Sequence, residues 1–363
     1  MKRILIQCLH RPDRSPSQRF RFEQYLETLV SHGYEYHFSY LLDEAEDRAF
    51  YKPGHYLAKM RIVLKSLWKR QREIGSARKY DILFVQREGM MLGTARFEKR
   101  IAAQIPMIFD FDDAIWLQTV SEGNKRLAFL KNADKTKELI AAAAVVFAGN
   151  EYLASYARAY NPNVVVIPTT IDTDKHQPVK THAVKDRVCI GWSGSFTTIP
   201  HFERILPVFR RLKEQYGQRV YFKVVGDGEY RNNDLSIKGI PWSAATELKE
   251  LEEMDIGIMP LPDDEWAKGK CGFKGLMYMS MGIPAVMSPV GVNTEIVSDG
   301  LNGFLASSDD EWVKVLGRLV EDPALRERIG QQGRQTVEER YSVAAWKNKY
   351  LNEFEKLIRK NLN

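Results

Sequence analysis

Short apolar runs alternate with amphipathic segments along this chain, and the alternation stops once and then restarts. ILIQ (Ile4–Gln7) is followed by SPSQRFRFEQYLETLVSHG, where Phe22, Leu26, Leu29 and Val30 recur at helical spacing ahead of Gly33, a residue suited to a C-terminal cap. YEYHFSYLL, DILFV, IPMIFDF, AVVFA and VVVI read as further strands separated by helices. Strands and helices taking turns require parallel pairing through crossover helices. From Thr170 to Asp186 the chain turns polar and loses its period, which marks a linker. RVCIGW then opens a second series: a helix from Ile199, YFKVVG, a helix around Ala244–Met254, DIGIMP, a short helix, IPAVMS, and a helical tail from Asp309. The expected fold class is α/β, with two Rossmann-like doubly wound parallel-sheet domains facing a cleft, over residues 1–172 and 187–340. A length of 363 residues supports two cores rather than one.

Composition removes several classes. No stretch approaches the roughly 18 apolar residues of a membrane span, and the N-terminal apolar run is too short for a signal peptide. Cys8, Cys189 and Cys271 are odd in number and far apart, which predicts a reducing cytoplasm and no disulfide framework. No zinc-type spacing occurs, so no metal site is expected. The net charge of +6 is unevenly placed: residues 1–100 carry 20 Lys and Arg against 12 Asp and Glu, so the rest of the chain is slightly acidic. A local basic surface points to phosphates, anionic lipid or nucleic acid.

Ligands of doubly wound sheets lie just beyond the carboxyl ends of the strands. Gly191, Ser193, Gly194 and Ser195 follow the strand RVCI and precede a helix, a turn suited to a diphosphate or equally to a plain strand-to-helix connection capped by Ser195 or Thr197. Gly-Asp-Gly at 226–228 is ordinary turn chemistry. After DIGIMP come Glu265, Lys268, Lys270, Cys271, Gly272, Phe273 and Lys274. A lysine here would neutralise a departing diphosphate; the plainer reading is a solvated basic loop. Met277, Tyr278 and Met281 read as the packed side of the helix that follows. Ser288 ends the next strand, and Gly291, Val292 and Asn293 lead into another helix, with Glu295 as a first-turn acid. In the first domain, Asp110, Asp112 and Asp113 end an apolar strand, where unpartnered acids are costly; they form the candidate catalytic group, or, on the plainer reading, one caps the next helix and another pairs with a nearby arginine. Ser15, Ser17, Arg19 and Arg21 after the first strand, and Arg87 and Glu88 after DILFV, stand at the mouth of the same sheet. Arg19, Arg87 and Glu88 are candidate site residues on this side, or members of plain surface ion pairs worth little.

Taken together these residues resemble the GT-B class of glycosyltransferases, in the large retaining family 4. The likeness is strongest over Lys270–Leu305, where Met279-Ser280-Met281-Gly282-Ile283-Pro284-Ala285-Val286 stands in place of the family's Met-Ala-x-Gly-x-Pro-Val-Val. The resemblance implies a nucleotide-diphosphate sugar held by the second domain, an acceptor on the first, and a last helix over 341–363 packing back on the first domain. It implies no metal or other cofactor, the donor being a substrate, and same-face attack in which the leaving phosphate helps to deprotonate the acceptor. The family's paired glutamates fall on Gly269 and Met277, so both are missing; Glu265 is a candidate stand-in for the first. The family's residue on the catalytic side of the first domain falls within Asp110–Asp113.

Residues 56–73 (YLAKMRIVLKSLWKRQRE) form a basic amphipathic segment. Lys59, Arg61, Lys65, Lys69, Arg70 and Arg72 face one acid, Glu73, and Met60, Val63, Leu64, Leu67 and Trp68 can share a face. This predicts either a core-facing helix with a solvated basic side or a peripheral contact with an anionic membrane. The expected activity is sugar transfer from a nucleotide sugar to a glycan or lipid-linked acceptor, in cell-surface or exopolysaccharide synthesis, at the cytoplasmic side. The alternatives are a GT-A-type enzyme holding Mn²⁺ through Asp110-x-Asp112, a non-catalytic binding protein and a sugar-nucleotide epimerase. Nucleic acid is not an expected partner, because the basic region has little aromatic interleaving.

Overall fold

The computed structural model describes residues 2–52, 54–117, 132–178 and 186–362. Two units divide the chain: Met1–Thr169 with Trp346–Asn363, and Thr170–Ala345. In the first unit six strands run parallel: β1 (Lys2–His10), β2 (Tyr34–Leu42), β3 (Ile82–Gln86), β4 (Met107–Phe111), β5 (Val145–Ala148) and β6 (Val164–Val166). Their order across the sheet is β2-β1-β3-β4-β5-β6. Ile4 to Cys8 are buried without alternation, as expected of a strand covered on both faces. Phe22, Phe84, Phe147, Tyr350 and Phe354 make one aromatic cluster; Tyr350 and Phe354 come from the last helix, Val343–Leu362.

The segment read as one helix after β1 is three pieces: Pro16–Arg21, a 3₁₀ turn at Glu23–Tyr25, and Leu26–Ser31. The break lies at Phe22, whose φ of −139° leaves the helical region while its ring enters the core. Val30, placed on the apolar face by its spacing, is exposed. The turn's position is held by Glu23, whose carboxylate accepts from the Asp13 amide at 2.9 Å and from Gln18 at 3.2 Å.

The guanidinium of Arg21 and the carboxylate of Asp110 are sealed in this core, both with fully buried side chains. Nε reaches both carboxylate oxygens at 3.2 Å, and a terminal nitrogen donates to the Ile167 carbonyl. Burial works to raise the Asp110 pKa above its ordinary value, and Arg21 opposes this.

The second unit holds a seven-stranded sheet of β7 (Val188–Ser193), β8 (Val220–Gly226), β9 (Arg231–Asn232), β10 (Ile237–Pro241), β11 (Ile256–Met259), β12 (Ala285–Met287) and β13 (Phe304–Leu305). Its order is β13-β12-β11-β7-β8-β10-β9, parallel except where β9 pairs with β10. The strands β9, β10 and β13 escaped the sequence reading: β9 and β13 have two residues each, and β10 (IKGIP) is half-exposed and carries no continuous apolar run. The polar stretch from Thr170 opens this unit: Ile171 pairs with Ser342, and residues 179–185 of the expected linker lie outside the described residues. Trp192, Phe202, Phe209 and Leu316 lie in its main core.

Replacing Arg21 with Met strands a buried carboxylate and should destabilise the first unit by about 3–5 kcal/mol. Arg21→Met/Asp110→Leu should recover most of that loss. Urea unfolding followed by Trp fluorescence and circular dichroism measures both; equal losses in the two variants would contradict a charge-pairing origin.

Candidate functional site

In each sheet the strand order reverses once, between β1 and β3 in the first unit and between β7 and β11 in the second. Chain leaving neighbouring strands in opposite directions at such a point opens a crevice at the carboxyl ends. The candidate residues of the second unit gather beside that reversal. After β7, the Ser193 amide donates to the buried Tyr278 hydroxyl at 2.8 Å, the Gly194 amide to the Val225 carbonyl at 2.9 Å, and the Ser195 amide to Thr198 Oγ1 at 3.1 Å. These amides therefore serve the turn itself. Gly191 lies within β7, where a Cβ would meet the Met254 side chain. At Gly226, φ is +133° and a Cβ would lie 1.4 Å from the Gly194 carbonyl oxygen, so only glycine closes the ends of β7 and β8 together.

After β11 the chain forms the short helix Glu265–Lys268, capped by Asp264, and then the helix Phe273–Ser280. Lys268 pairs with Glu265 at 3.1 Å, so Glu265 is turned to its own helix partner. Lys270 Nζ stands 4.6 Å from the centroid of the Trp266 ring, and Lys274 Nζ 5.4 Å from that of Trp192. His201, near the start of the segment after β7, has its pKa lowered by burial and then by Lys274 and Lys270, which places it in their field. His201 was missed in the sequence because a lone histidine in a helix carries no spacing signal. Gly272 takes φ +67° where a Cβ would meet Ile296 Cδ1 at 2.2 Å; Cys271 beside it is buried and Phe273 begins the helix. Residues 275–280 are all buried, Met277 among them, so position 277 offers packing and no polar group.

After β12, Ser288 Oγ accepts from the Leu261 amide at 2.9 Å, joining the two loops. Gly291 lies against the Lys268 backbone, and Val292 precedes the helix Asn293–Ile296. Asn293 is fully buried and donates through Nδ2 to the Ser288 carbonyl at 2.9 Å. Its Oδ1, facing Gly272, is buried without a hydrogen-bond partner. An orphaned acceptor in such a place suits a hydroxyl donor.

In the first unit, β3 ends at Gln86 and Arg87 follows it at φ +57°, uncommon for a residue with a Cβ. Arg87 bridges Asp112 at 2.7 Å and Asp113 at 2.6 Å, and Ser17 donates to Asp112 at 2.7 Å while accepting from Gln86 at 2.6 Å. Burial works against the Asp112 carboxylate, but Arg87 and Ser17 override it and hold its pKa below the ordinary value. Asp110 does not join this group: it faces inward to Arg21, which separates it from the chemistry expected of all three acids. Asp110 and Asp112 thus have different cationic partners, against the idea of a chelating Asp-x-Asp pair. Among the described residues no group of three or more His, Cys, Asp or Glu could hold a metal. Glu88 pairs with Lys135 at 2.8 Å rather than with Arg87, and Arg19 stands over the Phe20 ring.

A second cluster sits where β1 ends. Asp47 binds Arg14 at 2.5 Å and Arg11 at 3.3 Å, His10 Nδ1 lies 3.6 Å from it, and the Tyr51 hydroxyl is 3.2 Å from His10 Nε2. The run HRPDR at 10–14 was its one visible trace in the sequence.

Residues 187–322 match the protein family described as "Glycosyl transferases group 1". No curated protein matches the chain. Among solved structures, sucrose-phosphate synthase from Thermosynechococcus elongatus aligns at a TM-score of 0.69 and 13% identity, over 99% of this chain and 100% of that one. Anabaena HepE in complex with UDP-glucose aligns at 0.64 and 14%, over 98% and 100%. The lipopolysaccharide outer core galactosyltransferase WaaB aligns at 0.64 and 13%, over 98% and 100%. At such identities the likeness establishes the fold: two parallel-sheet α/β domains of the GT-B type.

Burial pushes the His10 pKa down to about 4, against the pull of Asp47 and with help from Arg14, Arg87 and Arg11. Its unfolded value is 6.5, so below that pH the unfolded chain takes up a proton that the folded one refuses. Stability of the first unit should therefore fall as pH drops from 6.5 to about 4, by roughly 2–3 kcal/mol in all. Thermal melts across this range should show the slope, and His10→Asn should flatten it; an unchanged slope would contradict the assignment.

Proposed function

We propose that the chain is a glycosyltransferase that moves a sugar from a nucleotide-diphosphate donor to a glycan or lipid-linked acceptor, with retention, in the synthesis of a cell-surface or exported polysaccharide. The observation that carries this reading is the grouping of Lys270, Lys274 and His201 beside the strand reversal of a group 1 domain. As the bond from the anomeric carbon to the phosphate oxygen breaks, negative charge collects on that oxygen. Lysines held over aromatic rings next to a neutral histidine stabilise it there, without reorganising solvent and without a metal. Asn293 Oδ1 accepts a ribose or sugar hydroxyl, a contact that Met277 cannot make. The incoming acceptor oxygen attacks the face that the phosphate leaves, and its proton passes to the departing phosphate. In the first unit, Asp113 and Asp112, set by Arg87, orient the acceptor hydroxyl. HepE was captured with UDP-glucose, so a uridine nucleotide is the first donor to try. The enzyme works on the cytoplasmic side of the membrane.

The lack of a carboxylate at positions 269 and 277 favours one other reading, a protein that binds the donor without transferring it. Thermal shift against UDP-, GDP-, ADP- and TDP-sugars should single out one nucleotide. Lys274→Ala should weaken its binding by roughly 1.5–3 kcal/mol, the worth of a charge-assisted hydrogen bond. Asp113→Asn should lower turnover by about 10²-fold with donor affinity unchanged. Binding without transfer or hydrolysis would support the non-catalytic reading, and turnover lost in EDTA would contradict the metal-free mechanism.

A further inference from the structure

The helix Tyr56–Ser76 buries a polar network together with Ile62, Leu67 and Ile74, the last two packed against Leu41, Met90 and Phe97, and leaves a second apolar stripe outward. Its inward face carries Lys59, Ser66, Arg70 and Glu73, with Ile62 among them, while Leu57, Met60, Leu64 and Trp68 point outward at 80%, 56%, 59% and 62% exposure. Arg70 sets this rotation. Nε donates to the Gly89 carbonyl at 2.6 Å, one terminal nitrogen to Ser39 Oγ and Glu73, both at 2.8 Å, and the other to the Cys8 and Ser39 carbonyls at 3.3 and 3.2 Å. Gln7 Nε2 donates to Glu73 at 2.7 Å, closing the network. Rolling the helix to bury Leu64 and Trp68 would pull a guanidinium and a carboxylate out of all these bonds.

At 100° per residue the four outward apolar side chains fall within about 80° of arc, and Leu57 to Trp68 spans about 17 Å. Arg61, Lys65 and Arg72 line one edge of this stripe, all exposed, with Arg72 stacked over the Trp68 ring at 4.6 Å. No acid is exposed between Tyr56 and Arg72. On the neighbouring helix Glu44–Tyr51, Glu46 pairs with Lys65 and Glu44 with Arg48, so the nearby acids have basic partners. Apolar side chains flanked by Arg61 and Arg72, with Lys65 paired to Glu46 beside them, match the boundary between acyl chains and anionic headgroups. Among the described residues no helix is long and apolar enough to cross a membrane, so such a contact would lie along the surface.

We infer that the outward face of Tyr56–Ser76 docks the protein on an anionic lipid bilayer, with Leu57, Met60, Leu64 and Trp68 entering the acyl boundary and Arg61 and Arg72 meeting the headgroups. The inference stands apart from the transferase reading, since neither its geometry nor its test involves a sugar nucleotide. The full chain is floated with vesicles of phosphatidylcholine alone and with vesicles in which one lipid in four is phosphatidylglycerol. It should float with the second kind and stay behind with the first. Leu57→Gln/Leu64→Gln/Trp68→Gln and Arg61→Glu/Arg72→Glu should each cut binding by about tenfold or more with an unchanged melting temperature. Leu301→Gln, at an exposed leucine of the other unit, should float like the parent. Trp68→Phe should still float but lose the part of the blue-shifted fluorescence that this indole contributes. A chain that ignores anionic vesicles, or a triple or charge-reversed variant that floats unimpaired, would overturn the inference. So would a dimer that the triple variant dissociates, which would make a second copy the occupant.

Discussion

Arg21 and Asp110 form a bond inside the first unit that sets what stands at its surface. Arg21 lies one helical turn after Ser17, and Asp110 lies two residues before Asp112. The same two segments are therefore joined twice: deep in the core by guanidinium and carboxylate, and nearer the rim by Ser17 and Asp112. Both members of the inner rung are fully buried, and the outer one is set by the same two segments. Arg87 completes the rim from β3, its amide tied to the Asp110 carbonyl at 2.7 Å. Strain in a left-handed arginine is acceptable where three neighbouring segments already determine its place.

The second unit reaches rigidity by another route. Residues 275–280 of its helix Phe273–Ser280 are all buried, and Tyr278 sends a hydroxyl through the core to the end of β7. The loop bearing Lys270, the helix bearing Lys274 and the turn bearing Ser193 thus share one support.

Much of the architecture could be read from the chain because parallel strands buried on both faces leave continuous apolar runs, as in ILIQ, DILFV and YFKVVG. Strands of two residues leave none, and β9 and β13 passed unseen. The helix after β1 was read as unbroken because its spacing holds through Phe22; the backbone turn there answers to burial of the ring and of Arg21, which spacing does not encode. Candidate residues could be picked where they follow strands, as with Lys270, Lys274, Asp112 and Asp113. The pairing within the group was not legible. Three acids in four residues gave no sign that Asp110 would face the opposite way from its neighbours, since alternation along a strand end fails once a loop begins. His201 and the cluster of His10 with Asp47 depend on contacts between segments far apart in sequence.

The outward stripe of the helix Tyr56–Ser76 separates two properties that usually go together in a soluble fold. Where an amphipathic helix buries its oily side, conformational stability itself keeps that side oily, and drift is checked by unfolding. Here the arginine network and the inward Ile62, Leu67 and Ile74 do the anchoring, so Leu57, Met60, Leu64 and Trp68 could each become polar at little thermodynamic loss to the folded chain. Relatives that kept a greasy strip at these positions would therefore be reporting a demand that arises outside the polypeptide, and relatives that lost it would still fold.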